Sequence, residues 1–286
     1  MLKDLKQYLS KILKENIANM SSVSGGDISQ AYRIETANNN YFLKLNSAPN
    51  ALTLFQTESY GLDCIAKTNT IKTPKAIACN TFEGSAFLLM EFVASKSPAS
   101  GDFKVLGKQL AALHQCTSEH FGLDQDNCIG KLHQSNTQHN TWVDFYTHER
   151  LLPQLHLAKN KGLLNPKKIP GSSELKSVLD SLFKNVKPAL LHGDLWSGNY
   201  LIATDGTPYV IDPAVYYGHH EVDIAMSKLF GGFGDAFYES YFSIIPENEN
   251  TSARIDLSQL YYLLVHLNMF GRSYYGSVRA ILKTYF

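Results

Sequence analysis

The sequence predicts an α+β protein of two lobes, a small antiparallel sheet followed by a mostly helical part. Three observations carry this expectation. Apolar residues alternate with period two between turn clusters in the first third of the chain, and long 3.6-period patterns fill the remainder. Between the two textures lies "VASKSPASG", a Ser-, Pro- and Gly-rich stretch of the kind that separates compact units. Residues 1–93 are therefore expected to form the first lobe and residues 94–286 the second.

The elements follow in order. Leu2, Leu5, Leu9, Ile12, Leu13, Ile17 and Met20 recur at helical spacing, which predicts one amphipathic helix with its lysines in water. "SVSGGDISQAYRIETANNNYFLKLN" reads as three strands of an antiparallel meander, with Gly25 and Gly26 in its first turn. Within "YFLKL", Tyr41, Leu43 and Leu45 share one face, whereas Phe42 and Lys44 share the other, so Lys44 is expected to point away from the core. "ALTLFQTESYGLDCIAKT" predicts a helix carrying Glu58, and strands follow at "KAIAC" and "SAFLLMEFV". Helices are expected at "DFKVLGKQLAALHQ", "TWVDFYTHERLLPQLHLA", "SSELKSVLDSLFKNV", "LSQLYYLLVHLNMF" and "GSVRAILKTYF".

Composition removes several classes of function. With 26 basic and 26 acidic residues the chain lacks the electrostatic footprint of a nucleic-acid binder or an anionic-membrane binder. Cys64, Cys79, Cys116 and Cys128 show no CxxC pairing and read as buried thiols of a reducing cytoplasm. The first residues lack the continuous apolar region of a secretory signal. The longest apolar run, "LYYLLVHLNMF", falls short of the ~20 residues that cross a bilayer and carries His266 and Asn268. Ten histidines without ligand spacing give no zinc site. A soluble, cytoplasmic protein acting on a small molecule is expected, read as a monomer with a dimer left open.

The chemistry concentrates in "LLHGDLWSGNYLIATDGTPYVIDPA". Short apolar strands flank the Asp205–Gly206 turn, so Asp194, Asn199 and Asp212 fall where strands meet loops. Phosphoryl transfer from ATP needs a carboxylate to orient or deprotonate the attacking hydroxyl, oxygen ligands for Mg²⁺, and cations or N–H groups on the phosphates. An Asp, an Asn five residues on and an Asp on the next strand match that template. One amide and one carboxylate suffice for Mg²⁺, which keeps several waters. Strand-end Asp and Asn are also common turn formers. Lys44 on the third strand and Glu58 in the next helix favour catalysis, because such an ion pair holds a lysine on the phosphates. The paired glycines would let backbone approach phosphate. "GGDIS" is not a full GxGxxG, and Pro213 follows Asp212 where protein kinases have Phe-Gly. No room remains for a long activation loop, so a small-molecule kinase of the aminoglycoside and choline kinase type fits better.

A closer resemblance covers nearly the whole chain. "LLHGDLWSGNYL", "DPAVYYGHHEVDIAM", "LFGGF", "FGLDQDNCIGKLHQSNTQHNTWVDFY", "RLLPQLHLA" and "FGRSYYGSV" resemble the fructosamine-3-kinase, or ketosamine-3-kinase, family. The resemblance implies a bilobal protein-kinase-like fold and an ATP- and Mg²⁺-dependent enzyme that phosphorylates the 3-hydroxyl of ketosamines. The unstable product would release the amine and reverse glycation. Asp194 is then the catalytic base, Asn199 and Asp212 the metal ligands, and Gly25, Gly26, Lys44, Glu58, Met90, Glu91 and Val93 the ATP site. Asp223 would support the catalytic loop. Trp196 is a candidate to stack on the sugar, with core packing as the alternative, and Gln134 and Asn136 are candidate sugar contacts. His114 reads as a satisfied helix-end histidine. Asp27 stands where many relatives have Cys, so redox switching through that position is not implied. The alternatives are an aminoglycoside- or choline-kinase-like phosphotransferase on another small alcohol, thinly supported by the acids Asp124 and Asp126, and a nucleotide-binding protein without catalysis.

Overall fold

A computed structural model describes residues 2–23 and 29–286. It begins with α1 (Leu2–Leu13), β1 (Ile17–Val23), β2 (Gln30–Thr36), β3 (Asn40–Asn46), α2 (Ala51–Lys67), β4 (Ala76–Phe82), β5 (Ser85–Glu91) and β6 (Ser95–Lys96). Next come α3 (Ser100–His114), β7 (Asn127–Ile129), β8 (Leu132–Gln134), α4 (Trp142–Phe145), a π-helical turn (Tyr146–Leu151), α5 (Leu152–Asn160) and α6 (Ser172–Leu182). The remainder holds β9 (Ala189–Leu191), β10 (Tyr200–Ala203), β11 (Pro208–Val210), β12 (Tyr216–Gly218), α7 (Glu221–Leu229), α8 (Asp235–Phe242), α9 (Thr251–Phe270) and α10 (Tyr275–Tyr285). The chain divides into two compact units, one running to Ser97 and including Leu201–Asp212, the other formed by Pro98–Tyr200 and Pro213–Phe286.

In the first unit an antiparallel sheet has the order β1-β2-β3-β5-β4. Alternation along the strands gives it two apolar faces. Ile34, Leu43, Leu45, Phe87 and Leu89 pack against Leu5 and Leu9 of α1. Ala86, Leu88 and Met90 pack against Phe55 and Leu62 of α2, with Phe42 at the edge of that cluster. Each leucine buried in this way contributes about 1.5–3 kcal/mol. Lys44 points away from the core that Leu43 and Leu45 join, as expected. Its face is the one α2 covers, and this brings Glu58 within reach.

The first helix is shorter than its apolar spacing predicts. It stops at Leu13, Lys14 takes the left-handed conformation (φ 55°), and Ile17 and Met20 lie in β1 opposite Thr36 and Ile34. Ile17 joins the same core as Leu9, with Met20 packed against it, so the spacing reports burial correctly although the backbone has changed from helix to strand.

The boundary between units also differs from a single cut after residue 93. β10 pairs antiparallel with β6, and β11 lies on the other side of β10. The Thr204 N–H donates to the Ala94 carbonyl (3.0 Å) and the Val210 N–H to the Lys72 carbonyl (2.9 Å). Backbone bonds thus draw the Leu201–Asp212 hairpin into the first unit, although it is encoded deep in the helical half.

The second unit packs α3 on α8, and α7 and α10 on α9. α7 has no polar face, since Glu221, Val222, Asp223, Ile224, Ala225, Met226 and Ser227 are all buried, which removes the stripe by which a surface helix is recognised. Its polar residues are paired internally. Arg254 of α9 donates from Nε and Nη2 to the two carboxylate oxygens of Glu221, both at 2.6 Å.

Just before α7, His219 and His220 stack at 4.5 Å, and His220 Nδ1 lies 2.9 Å from the Tyr241 hydroxyl. Burial, aided by the charges of neighbouring histidines and Arg254, holds His219 well below its ordinary value and His220 down at about 3. Both are neutral in the native state near pH 5, whereas the unfolded chain protonates them below about 6.5. Their neutrality costs no stability above that pH. Below it, each removes about 1.4 kcal/mol per pH unit until its folded value is reached. Melting temperatures are thus expected to fall steadily from pH 6.5 to pH 5, with a shallower slope for His220→Gln. Equal slopes for the variant and the parent would remove His220 as a source.

Candidate active site

In the first unit Lys44 Nζ lies 2.8 Å from Glu58 Oε1 and also contacts Asp212 Oδ1. Burial opposes the Lys44 charge, but the Asp212 and Glu58 carboxylates outweigh it and raise the ammonium above its ordinary value. Burial, with the Asp212 charge added, pushes Glu58 upward against the pull of Lys44. The Asp212 side chain is the accessible end of the group, 40% exposed against 14% for Lys44 and Glu58. An exposed carboxylate is a suitable ligand for a hard cation. Asp212 has φ 55°, a left-handed conformation that Asp tolerates better than most residues and that is often found at functional positions.

The second unit carries the loop that leaves β9. Gly193 has φ +84°, and a Cβ there would collide with the Ala214 carbonyl, so only glycine fits. Asp223, fully buried at the start of α7, accepts the N–H of His192 at 2.7 Å and that of Gly193 at 2.9 Å. Burial would raise the Asp223 carboxyl, but the hydrogen bond and charge of His114, His192 and the Gly193 N–H together hold it below its ordinary value. His114 bridges Asp223 (3.1 Å) and the Tyr241 hydroxyl (2.7 Å) and is a satisfied buried histidine. Beyond Gly193, the Asp194 N–H donates to His192 Nδ1 at 3.2 Å. Asn199 Nδ2 donates to the Asp194 carbonyl (2.8 Å) and to its carboxylate Oδ2 (3.1 Å). The far end of the loop therefore orients the acid at its head, and with Nδ2 so used, Oδ1 is the Asn199 atom suited to a metal. Among the described residues no cluster of three or more His, Cys, Asp or Glu could hold a metal ion.

Other predicted residues are placed unevenly. Gly25, Gly26 and Asp27 lie outside the described residues. Met90 is buried in the α2-side core, and the Glu91 N–H donates to the Lys75 carbonyl. Trp196 is 37% exposed, and its ring lies over Gly198, where a Cβ would strike the indole. Gln134 and Asn136 depart from the expected sugar contact. Gln134 Nε2 donates to Asn127 Oδ1 (2.7 Å), while its Oε1 accepts from the Tyr261 hydroxyl (2.6 Å). Asn136 Nδ2 donates to the Gln125 carbonyl (3.1 Å), and its Oδ1 accepts from Arg150 Nη2 (2.6 Å). Both are almost wholly buried and brace a connection that needs its backbone satisfied internally. Asp124 and Asp126 line an open cleft of about 570 Å³ beside them.

Arg150 was not legible in advance. It sits in the π-helical turn, fully buried, with its guanidinium 4.0 Å from the Tyr216 ring centre and 4.6 Å from that of Phe145. Its Nη1 donates to the Ser135 carbonyl, so a cation held by aromatic faces and carbonyls fixes the 134–136 segment.

A family model described as fructosamine kinase matches residues 1–286. A probable ketoamine kinase of Lactiplantibacillus plantarum is 40% identical over 282 residues, spanning 98% of this chain and 99% of that protein. The chloroplastic protein-ribulosamine 3-kinase of Arabidopsis thaliana is 36% identical over 274 residues, spanning 94% of this chain and 83% of its own length. Among solved structures, a Haemophilus somnus protein assigned as a fructosamine-3-kinase superposes with TM-score 0.88 at 29% identity, covering 99% of this chain and 97% of that one. An aminoglycoside phosphotransferase shares the fold, with TM-score 0.61 at 18% identity over 98% of both chains. The antiparallel sheet carrying an ion-paired lysine and the helical unit carrying the HGD loop are those of a protein-kinase-like fold, and the chain belongs to the fructosamine kinase family as an ATP-dependent phosphotransferase.

Proposed function

We propose that this phosphotransferase acts on ketosamines, the fructosamine- or ribulosamine-type products of glycation, and phosphorylates their 3-hydroxyl. The observation that carries the reading is the Asp194 carboxylate, fixed by Asn199 with an exposed aromatic ring two residues along the chain. The names of the related ketoamine kinase and ribulosamine 3-kinase point the same way.

Asp194 takes the proton of the 3-hydroxyl as its oxygen bonds to the γ-phosphorus and the bond to the β-phosphate oxygen breaks, leaving ADP. Lys44, held by Glu58, neutralises phosphate charge. Asn199 and Asp212 would hold Mg²⁺, which when bound supplies charge neutralisation on the phosphates. With the Glu91 N–H committed to Lys75, adenine is met by the Glu91 carbonyl and the Val93 N–H beside Met90. Gly25 and Gly26 would approach the phosphates through backbone. The 3-phosphate then stands next to the ketosamine carbonyl carbon. Enolisation towards the amine-bearing carbon makes the phosphate allylic, inorganic phosphate leaves, and hydrolysis of the imine frees the amine. A cytoplasmic location and action as a single chain belong to the same reading.

Trp196 presents its ring to the acceptor sugar, seated on the bare backbone of Gly198. Trp196→Ala is expected to raise the acceptor KM several-fold to tens-fold, the scale of one lost stacking contact of about 1 kcal/mol plus its burial, with the ATP KM nearly unchanged. Equal changes in both constants would remove the ring from the acceptor site. The reaction itself is tested by phosphorus NMR of the product from a synthetic ribulosamine or fructosamine, followed until amine and inorganic phosphate appear together. A stable phosphate ester at another position, or efficient phosphorylation of an aminoglycoside alone, would replace this reading.

A further inference from the structure

The glycine that precedes the proposed base is held at both of its polar ends, and only one of the two holders is a residue the chemistry already names. Asp223 takes the Gly193 N–H. On the carbonyl side of Gly193, the Tyr262 hydroxyl of α9 donates to the Gly193 oxygen at 2.7 Å. The Tyr262 ring is fully buried, with the Tyr261 ring 5.2 Å away in edge contact, and burial with nearby tyrosine and carboxylate charge keeps its phenol protonated well beyond neutral pH. It is therefore a permanent donor. The Gly193 carbonyl belongs to the same peptide unit as the Asp194 N–H, so rotating that carbonyl turns the first bond leading to the Asp194 side chain.

We infer that Tyr262 is a positioning residue for the phosphoryl transfer: its hydroxyl sets the orientation of the Gly193–Asp194 peptide and, through it, the aim of the Asp194 carboxylate. The inference rests on Asp194 as the base. Asp223 and Tyr262 act on opposite ends of a glycine with no side chain of its own to lock it, at φ +84°, where the backbone has the most freedom to turn. Asn199 then orients the carboxylate itself from the other end of the loop. Losing the phenol leaves a buried carbonyl without that donor, and the Gly193–Asp194 peptide keeps only the bond from the Asp194 N–H to His192 Nδ1, at 3.2 Å. Misplacement of this kind lowers the rate of the chemical step and leaves substrate binding intact.

Tyr262→Phe keeps the ring and its packing and removes only the hydroxyl. Tyr146→Phe is the matched control, because the Tyr146 ring is equally buried and its hydroxyl also donates to backbone carbonyls, those of Leu257 (2.9 Å) and Ser258 (3.3 Å), away from the loop. The two variants should lose similar amounts of thermal stability. With a synthetic ribulosamine and Mg·ATP, Tyr262→Phe should lower kcat by about tenfold or more with both KM values within about twofold of the parent, while Tyr146→Phe keeps the parental kcat. A parental kcat in Tyr262→Phe, or a loss confined to KM, overturns the inference. Asp194→Asn measured in the same assay separates the causes of failure. If it is inactive while Tyr262→Phe is unimpaired, only the positioning role falls. If Asp194→Asn turns over normally, the base assignment and the positioning role fall together.

Discussion

Asp194→Asn is expected to bind ATP as the parent does and to turn over about 10²- to 10⁴-fold more slowly, the range for loss of a positioned acid–base group. The backbone around the substitution has its own supports, since Asp223 holds the two preceding N–H groups and the Asn199 amide holds the Asp194 carbonyl. An amide at position 194 is nearly isosteric with the carboxylate, so the melting temperature should scarcely change. The defect is then chemical, because a neutral amide cannot accept the hydroxyl proton. Nucleotide titration by calorimetry beside a steady-state assay checks both halves. Loss of ATP affinity equal to the loss of turnover would mean that position 194 serves binding instead of proton transfer.

The largest expected effect on stability is at Arg254. Its guanidinium and the Glu221 carboxylate form a two-pronged pair whose side chains are 8% and 2% exposed. Arg254→Ala strands an anion in the interior and should cost about 3–5 kcal/mol in denaturant unfolding. The double replacement Glu221→Gln with Arg254→Met should recover much of that loss, because most of the penalty is the uncompensated charge and not the missing attraction. Lys176 and Asp144 also meet at 2.6 Å, yet with side chains 35% and 42% exposed. Removing that pair should cost at most about 1 kcal/mol, since water and side-chain entropy cancel most of its attraction. Comparable losses at both sites would refute the argument from burial.

The residues that were legible in the sequence are those whose surroundings are set by short-range rules. Asp194, Asn199 and Asp212 stand at strand ends fixed by the Asp205–Gly206 turn, and period two sends Lys44 to the opposite face from Leu43. What escaped depended on partners distant in the chain. The meander's own pattern shows one apolar face, whereas α2 supplies a second. α7 was missed because burial on all sides leaves no periodic stripe, and Ile17 and Met20 fit helix and strand spacing equally well. Gln134 and Asn136 have the composition of a sugar-binding loop, but their amides answer to Tyr261 and Arg150, 127 and 14 residues away respectively. Tyr262 sits within an apolar run and showed nothing of the hydroxyl's partner.

The placement of the Leu201–Asp212 hairpin has a consequence for how the chain is made. A ribosome delivers residues in order, and domains ordinarily fold as they emerge. Here the strand Ser95–Lys96 waits for Ile202 and Ala203, and Lys44 waits for Asp212, until most of the second unit has also been synthesised. Until then the nascent first unit carries a half-buried lysine and glutamate without their third partner, and an unpaired two-residue edge. A fragment ending at Ser97 is accordingly an incomplete unit, and the place to divide this protein is not a point along its sequence.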